Sequence, residues 1–364
     1  MKKVLFLGRF PPPIHGAALM NQNYFEALKK EKDIYIKNIK INYSDSLEEV
    51  GKINLKKLIG FFIVFFNLIK ELLFFRPDII YFELAPKGLA FFRDSIYIII
   101  CKLFRKKILF HLHAKGLTTL KKNFISRNYA KFIFKNTSVI ILSSIFYYEV
   151  KGFFRKKKIF IIPNAIKDEL TEKQFENIIK KRNKNKKTIL LFLSNILKSK
   201  GPLDVLKICK ELKDDKIKFV CNFVGAFQEE KFKKRFYEEL KKLELEKECV
   251  YLGPKYGKEK FKLLEKTNYL IFPTREDAFP IVILEAFMFG IPVFSYDTGA
   301  IREIISKNYL GFVAKQKDYI ALYHELKKRI LLKKDKPQKI REEFKNRYVL
   351  EKSVEKLKKV LKNL

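Results

Sequence analysis

Short apolar runs alternate with longer stretches of mixed polarity from one end of the chain to the other. In the first half the runs Val4–Leu7, Ile34–Ile36, Ile79–Phe82, Ile108–Leu112, Val139–Leu142 and Ile159–Ile162 read as strands. Helical periodicity fills the gaps, as in Ala17–Lys30 and Asn123–Lys135. A second series of strands runs through Thr188–Leu193, Phe219–Val224, Val250–Leu252, Tyr269–Phe272, Pro292–Ser295 and Gly311–Val313. Strand and helix in strict alternation predict α/β architecture: two Rossmann-like parallel-sheet domains facing a central cleft. The series meet across Asp168–Lys187, a charged segment with little β content. The expected map is therefore an N-terminal domain over 1–167, a linker over 168–187, and a C-terminal domain over 188–335. The segment 336–364 reads as two charged amphipathic helices that could return to the N-terminal domain.

Composition narrows the class. With 364 residues the chain can bury two cores, and 48% hydrophobic content makes it globular. The formal charge of +37 invites nucleic acid or anionic lipid as a partner, but the Lys residues are dispersed along the whole length. Cys101, Cys209, Cys221 and Cys249 form no CxxC pair and read as reduced core thiols of a cytoplasmic protein. The N-terminus is too short in apolar residues for a signal peptide and reads as a strand. Leu58–Ile69 is shorter than a membrane span, and reads as a buried helix or one whose aromatic side meets a bilayer surface.

Candidate chemistry lies in the loops after strands. Asp277–Pro292, DAFPIVILEAFMFGIP, places Asp277 before a helix start and Glu285 on that helix, with seven residues between them. Pro280 suits the first helical position, and the free amides of such a start can hold a phosphate. Capping alone would account for one acidic residue there. After the first strand, Gly8-Arg9-Phe10-Pro11-Pro12-Pro13-Ile14-His15-Gly16 runs into a helix without a GxGxxG pattern. After the fourth, His111 and His113 share one side of a strand end. Zinc would need further ligands, and only His15 and His324 remain among the histidines, so contact with a substrate hydroxyl or proton transfer suits them better. Lys200 precedes another helix start, where an ammonium and amides could share a diphosphate. Gly225 allows close backbone approach after the next strand. No DxD triplet is present.

Taken together, PPPIHG, HLHAKG, IPNAI, SNILKSKG and above all PTREDAFPIVILEAFMFGIPVFSYDTGAIREI resemble the retaining glycosyltransferases of family 4, across essentially the whole chain. The resemblance implies the GT-B fold, with an acceptor-side N-terminal domain and a C-terminal domain that binds the nucleotide sugar. It implies catalytic roles for His113 and Asp277, the latter on the sugar hydroxyls. Asn195, Gly225 and Gly253 would line the donor, Gly16 would line the donor phosphates or the acceptor from the first domain, and Lys200 would neutralise the diphosphate. Phe279, Pro280, Ile281 and Val282 would open a helix over sugar and phosphate, while Glu285 would bind the ribose. His15 and Lys115 fall on the acceptor side. The chain departs from the family pattern in three places: Asp277 stands at a Glu position with Glu276 beside it, Asn195 at a frequent Arg, and Pro280 at a frequent Gly.

The implied reaction is metal-independent transfer of a hexosyl or N-acetylhexosaminyl group from a UDP- or GDP-linked sugar, without a cofactor. The acceptor would be a glycan or a lipid-linked glycan in bacterial surface polysaccharide synthesis, of the lipopolysaccharide or capsule type. The enzyme would work at the inner face of the cytoplasmic membrane, on an anionic surface. Two other readings stand beside it. A nucleotide-sugar epimerase of the same fold would need no acceptor. A basic nucleic-acid-binding protein would leave Asp277 and Glu285 unexplained, and no known nucleic-acid motif supports it.

Overall fold

All twelve apolar runs form strands, and among the described residues every strand runs parallel to its neighbours in one of two six-stranded sheets. The computed structural model describes residues 1–12, 16–41, 55–185 and 187–364. The chain divides into unit 1, Met1–Ile166 with Leu350–Leu364, and unit 2, Lys167–Val349.

Unit 1 runs β1 (Lys2–Gly8), α1 (Gly16–Lys29), β2 (Ile34–Lys40), α2 (Leu55–Phe74), β3 (Ile79–Glu83), α3 (Gly88–Leu103), β4 (Lys107–Leu112), α4 (Phe124–Phe134), β5 (Ser138–Ile141), a short α5 (Tyr147–Val150) and β6 (Ile159–Ile161). Unit 2 begins with α6 (Glu172–Asn183), β7 (Thr188–Leu193), α7 (Pro202–Asp214), β8 (Phe219–Val224), α8 (Glu230–Lys242), β9 (Cys249–Tyr251) and α9 (Gly257–Lys266). It continues with β10 (Tyr269–Phe272), α10 (Ile281–Met288), β11 (Val293–Tyr296), α11 (Ile301–Ile304), β12 (Gly311–Ala314), α12 (Tyr319–Leu332) and α13 (Pro337–Arg347). Helix α14 (Leu350–Asn363) returns to unit 1.

Every residue of β3, β5, β10 and β11 is buried. Helices cover both faces of a parallel sheet, so its central strands carry continuous apolar sequence rather than alternation. The strand orders are β2-β1-β3-β4-β5-β6 and β12-β11-β10-β7-β8-β9. In each sheet the winding reverses once, between β1 and β3 in unit 1 and between β7 and β10 in unit 2. Ligands of open α/β sheets settle at the carboxyl ends of the strands on either side of such a reversal.

The structure fills in the expected map at two places. The segment 168–187 is not a bare linker, because it holds α6. Thr171 and Gln174 form a reciprocal capping box, and Phe175, Ile178, Ile179 and Arg182 are buried. The Arg182 guanidinium donates to the Leu264 and Phe289 carbonyls, both at 3.2 Å, which ties the helix into unit 2. Over 336–364 the two helices belong to different units, α13 to unit 2 and α14 to unit 1. On α13 the Arg341 guanidinium donates to Asp168 at 3.0 Å and to the Met288 carbonyl at 2.9 Å. On α14, by contrast, Ser353 pairs with the Tyr24 hydroxyl of α1 at 2.6 Å.

Helix α2, which contains the Phe-rich run, is apolar on two faces. Val64, Leu68 and Leu72 are buried, and Phe61 stacks on Tyr97 of α3 with ring centroids 5.2 Å apart. Leu58, Ile59, Phe62, Ile63 and Phe66 are exposed. Among the described residues no helix is long and apolar enough to cross a membrane.

Candidate functional site

In unit 2 the loops that flank the reversal point are stitched to each other. The loop after β7 carries half-buried Asn195, then the short 3₁₀ turn Lys198–Lys200, and enters α7 through Gly201. The loop after β10 runs from Pro273 to Pro280. Arg275 N–H donates to the Ser199 carbonyl at 2.8 Å, and its guanidinium reaches Asp204 at 2.6 Å, a carboxylate shared with the Tyr296 hydroxyl at 3.0 Å. A Cβ at Gly201 would lie 2.2 Å from the Pro273 carbonyl oxygen, so only glycine lets the loops approach this closely. The Lys200 ammonium donates to Asp277 Oδ2 at 2.6 Å and to the Glu276 carbonyl at 2.9 Å. Asp277, not the exposed Glu276 side chain, therefore faces the lysine.

The helix after this loop starts one residue later than the sequence suggests. The proline ring fixes φ but leaves ψ free, and Pro280 has ψ 123°, outside the helical range. Pro280 is thus the cap and Ile281 the first helical residue. No side chain caps α10, which leaves the first-turn amides of half-buried Ile281 and Val282 available to a ligand. Phe279 is buried, its ring edge-on to Tyr348 at 6.2 Å. Glu285, also buried, forms an ion pair with Lys260 of α9. The structure thus joins Lys200 to Asp277 and gives Glu285 a cation of its own.

Gly225, at the end of β8, has φ 149°, and a Cβ there would lie 1.8 Å from the Ser194 carbonyl oxygen. The crossing of the loops after β7 and β8 is what requires glycine. Gly253 follows β9, with open space where its Cβ would be, and its carbonyl accepts the Gly225 N–H at 3.1 Å.

Unit 1 repeats the theme at its own reversal point. At the end of β1, Arg9 N–H donates to Glu83 Oε2 at 2.7 Å and Arg9 Nε to Oε1 at 2.8 Å, while the Asn21 amide also donates to that carboxylate. Glu83, at the end of β3, has a fully covered side chain. Burial alone would raise its pKa, but the Arg9 charge, then His113 and the hydrogen bonds from Arg9, hold it below the usual range. On β4, His111 bonds the Tyr81 hydroxyl through Nδ1, and burial pushes it far below an ordinary imidazole, so the ring is neutral. The rings of His111 and half-buried His113 lie 4.1 Å apart, on the shared side that strand alternation predicts. Lys115 Nζ sits 5.8 Å from the centroid of the Phe146 ring. Gly16 is exposed at the start of α1, and His15 lies outside the described residues.

Sequence reasoning missed Arg9, Glu83, Lys260 and Arg275. Glu83 carried a signal, being the single carboxylate closing the apolar run Ile79–Glu83. Lys260 carried none, as one lysine among many on a charged helix.

The family description "Glycosyl transferases group 1" matches residues 174–363, just over half of the chain. An uncharacterized 41.2 kDa protein in the cps region of Klebsiella pneumoniae is 26% identical over 275 residues, covering 73% of this chain and 72% of its own. Among solved structures, a glycosyltransferase from Rickettsia africae ESF-5 is similar with a TM-score of 0.77 at 17% identity, over 100% of both chains. Anabaena Alr3699/HepE, solved in complex with UDP, is similar with a TM-score of 0.75 at 17% identity, again over 100% of both. The twin parallel sheets and these likenesses make the fold GT-B.

Proposed function

The chain belongs to the glycosyl transferases group 1 family, and on that premise we propose that it moves a hexosyl or N-acetylhexosaminyl group from a nucleotide sugar, with retention, to a glycan or lipid-linked acceptor of a bacterial surface polysaccharide. The observation that carries this reading is the pairing of Lys200 with Asp277 beside the uncapped start of α10, at the reversal point of the unit 2 sheet. In glycosyl transfer from a nucleotide sugar, the barrier is dominated by negative charge building on the leaving diphosphate. Preorganised cations and helix-start amides lower that barrier, because they are oriented before the charge appears. Lys200 and the amides of Ile281 and Val282 supply these groups without a metal ion. Asp277 meets the sugar hydroxyls, and Glu285, paired with Lys260, accepts from the ribose.

UDP is the first nucleotide to test, since it is the one bound to HepE in the solved complex. The test is a thermal-shift screen against UDP, GDP and their sugar conjugates. One nucleotide should raise the melting temperature and Glu285→Ala should abolish the rise; unchanged melting with all of them would defeat the donor assignment.

The reading includes docking on an anionic bilayer through α2. Its outward residues Leu58, Ile59, Phe62, Ile63 and Phe66 offer an apolar stripe in a chain of net charge +37, so apolar insertion and attraction to anionic headgroups act together. Phe61 and Phe65 are half-buried and are best left intact. A Phe62/Ile63/Phe66→Ser variant should pellet less with anionic liposomes than the native chain, whereas equal pelleting would remove α2 from the contact.

A further inference from the structure

Three of the four cysteines, brought from three different elements, converge in the core of unit 2. Cys209 lies on α7, Cys221 on β8 and Cys249 at the start of β9, and their Sγ atoms all lie within 4.8 Å of one another. Cys221 and Cys249 are direct partners in the parallel ladder, and α7 lays Cys209 over them. All three are buried among Phe, Leu and Ile side chains, including Phe219, Phe223, Phe236, Leu240 and Leu245. Cys101, in unit 1, stands apart.

We infer that Cys209, Cys221 and Cys249 form a binding site for a soft, three-coordinate thiophilic centre, of the Cu(I) or arsenite class. The ligand count decides the class. Structural zinc sites close with four ligands, and among the described residues no histidine or carboxylate joins this cluster. The adjacent Glu248 is turned to Lys213, 3.6 Å away. Three thiolates without oxygen or nitrogen donors select soft ions. Cys249 lies on β9, the outermost strand of its sheet, and like the other two cysteines it is buried. Binding needs no oxidant. With arsenous acid, three As–O bonds break as three As–S bonds form, and the three thiol protons leave with the hydroxides as three waters. With Cu(I), the thiol protons pass to the buffer and copper stays monovalent.

The test uses the full chain, reduced and kept anaerobic, titrated separately with arsenite and with Cu(I) supplied from a competing chelator. The expected result is one equivalent of either bound per chain. At a hundredfold excess over Kd, the transition of unit 2 should rise by about 5–10 °C. Cys249→Ala, at the sheet edge, should lose the stoichiometric binding, and so should Cys221→Ala; Cys101→Ala should keep it. Each variant's native melting transition, measured without ion, shows that it has folded. Zn(II) should bind at least a hundredfold more weakly than Cu(I). Failure of both soft ions to bind at one equivalent would overturn the assignment, as would undiminished binding by folded Cys249→Ala. Zinc binding as tight as Cu(I) would overturn the three-coordinate geometry.

Discussion

Replacing Lys200 by Met and Asp277 by Asn should move nucleotide affinity in opposite directions. At 2.6 Å and an effective dielectric near 20, the gross attraction between the two side chains is about 6 kcal/mol. Both are about a fifth exposed, so solvent returns most of that when either is removed. What Lys200 offers a diphosphate is a charge-assisted hydrogen bond worth about 1.5–3 kcal/mol net. Lys200→Met should therefore weaken UDP or GDP, whichever the screen selects, by roughly 10–150-fold. The corresponding nucleoside, which has no phosphate, should bind as before. Asp277, in contrast, competes with the phosphate for the same ammonium. Asp277→Asn keeps the shape and removes the competitor, so the free nucleotide should bind roughly 3–10-fold more tightly, about half of one charge-assisted bond's worth, while sugar transfer falls. Isothermal titration with nucleoside, nucleoside diphosphate and nucleotide sugar separates these outcomes. Equal weakening of the diphosphate by both substitutions, or equal loss of nucleoside and diphosphate in Lys200→Met, would refute the reasoning.

Three further outcomes follow from the same geometry. Lys260→Met leaves the buried Glu285 carboxylate uncompensated and should destabilise unit 2 by about 3–5 kcal/mol in urea unfolding, with Lys260→Met/Glu285→Leu recovering much of it; additive losses would argue against the pair. Glu83 has a depressed folded pKa, so its contribution is present above the unfolded value near 4.3 and is lost as pH falls through the lower folded value. Glu83→Gln should accordingly cost roughly 1.5–3 kcal/mol at neutral pH, with the gap to the native chain closing as pH falls below about 4; a gap constant with pH would contradict this. Gly225→Ala forces a Cβ onto the Ser194 carbonyl and should cost about 3 kcal/mol or more, read as a lowered melting temperature.

The strands were legible because a sheet covered on both faces writes its core as unbroken apolar runs; their ends shifted by a residue or two, except that β2 runs four residues further, to Lys40. The hidden features depend on pairing across long separations. Arg9 meets Glu83 over 74 residues and Lys200 meets Asp277 over 77, and no local pattern encodes either pairing. Strand order supplies it, by setting β1 beside β3 and β7 beside β10. Helix α6 was misread for a different reason. Its surface charge masked the Thr171–Gln174 capping box and the buried positions Phe175, Ile178 and Ile179, all of which were present in the sequence. The tail was readable as two helices, but their parting depended on tertiary partners, Asp168 for Arg341 and Tyr24 for Ser353.

Helix α14 also constrains the order of events during synthesis. It brings Val354, Leu357 and Leu361 to unit 1 and donates the Leu350 N–H to the Ile166 carbonyl at 2.9 Å. The ribosome must therefore deliver all of unit 2 before the earlier-made lobe receives its closing helix. Until then, the nascent first lobe waits with an apolar seam uncovered, and a nonsense codon just after Val349 would injure the half of the molecule translated first.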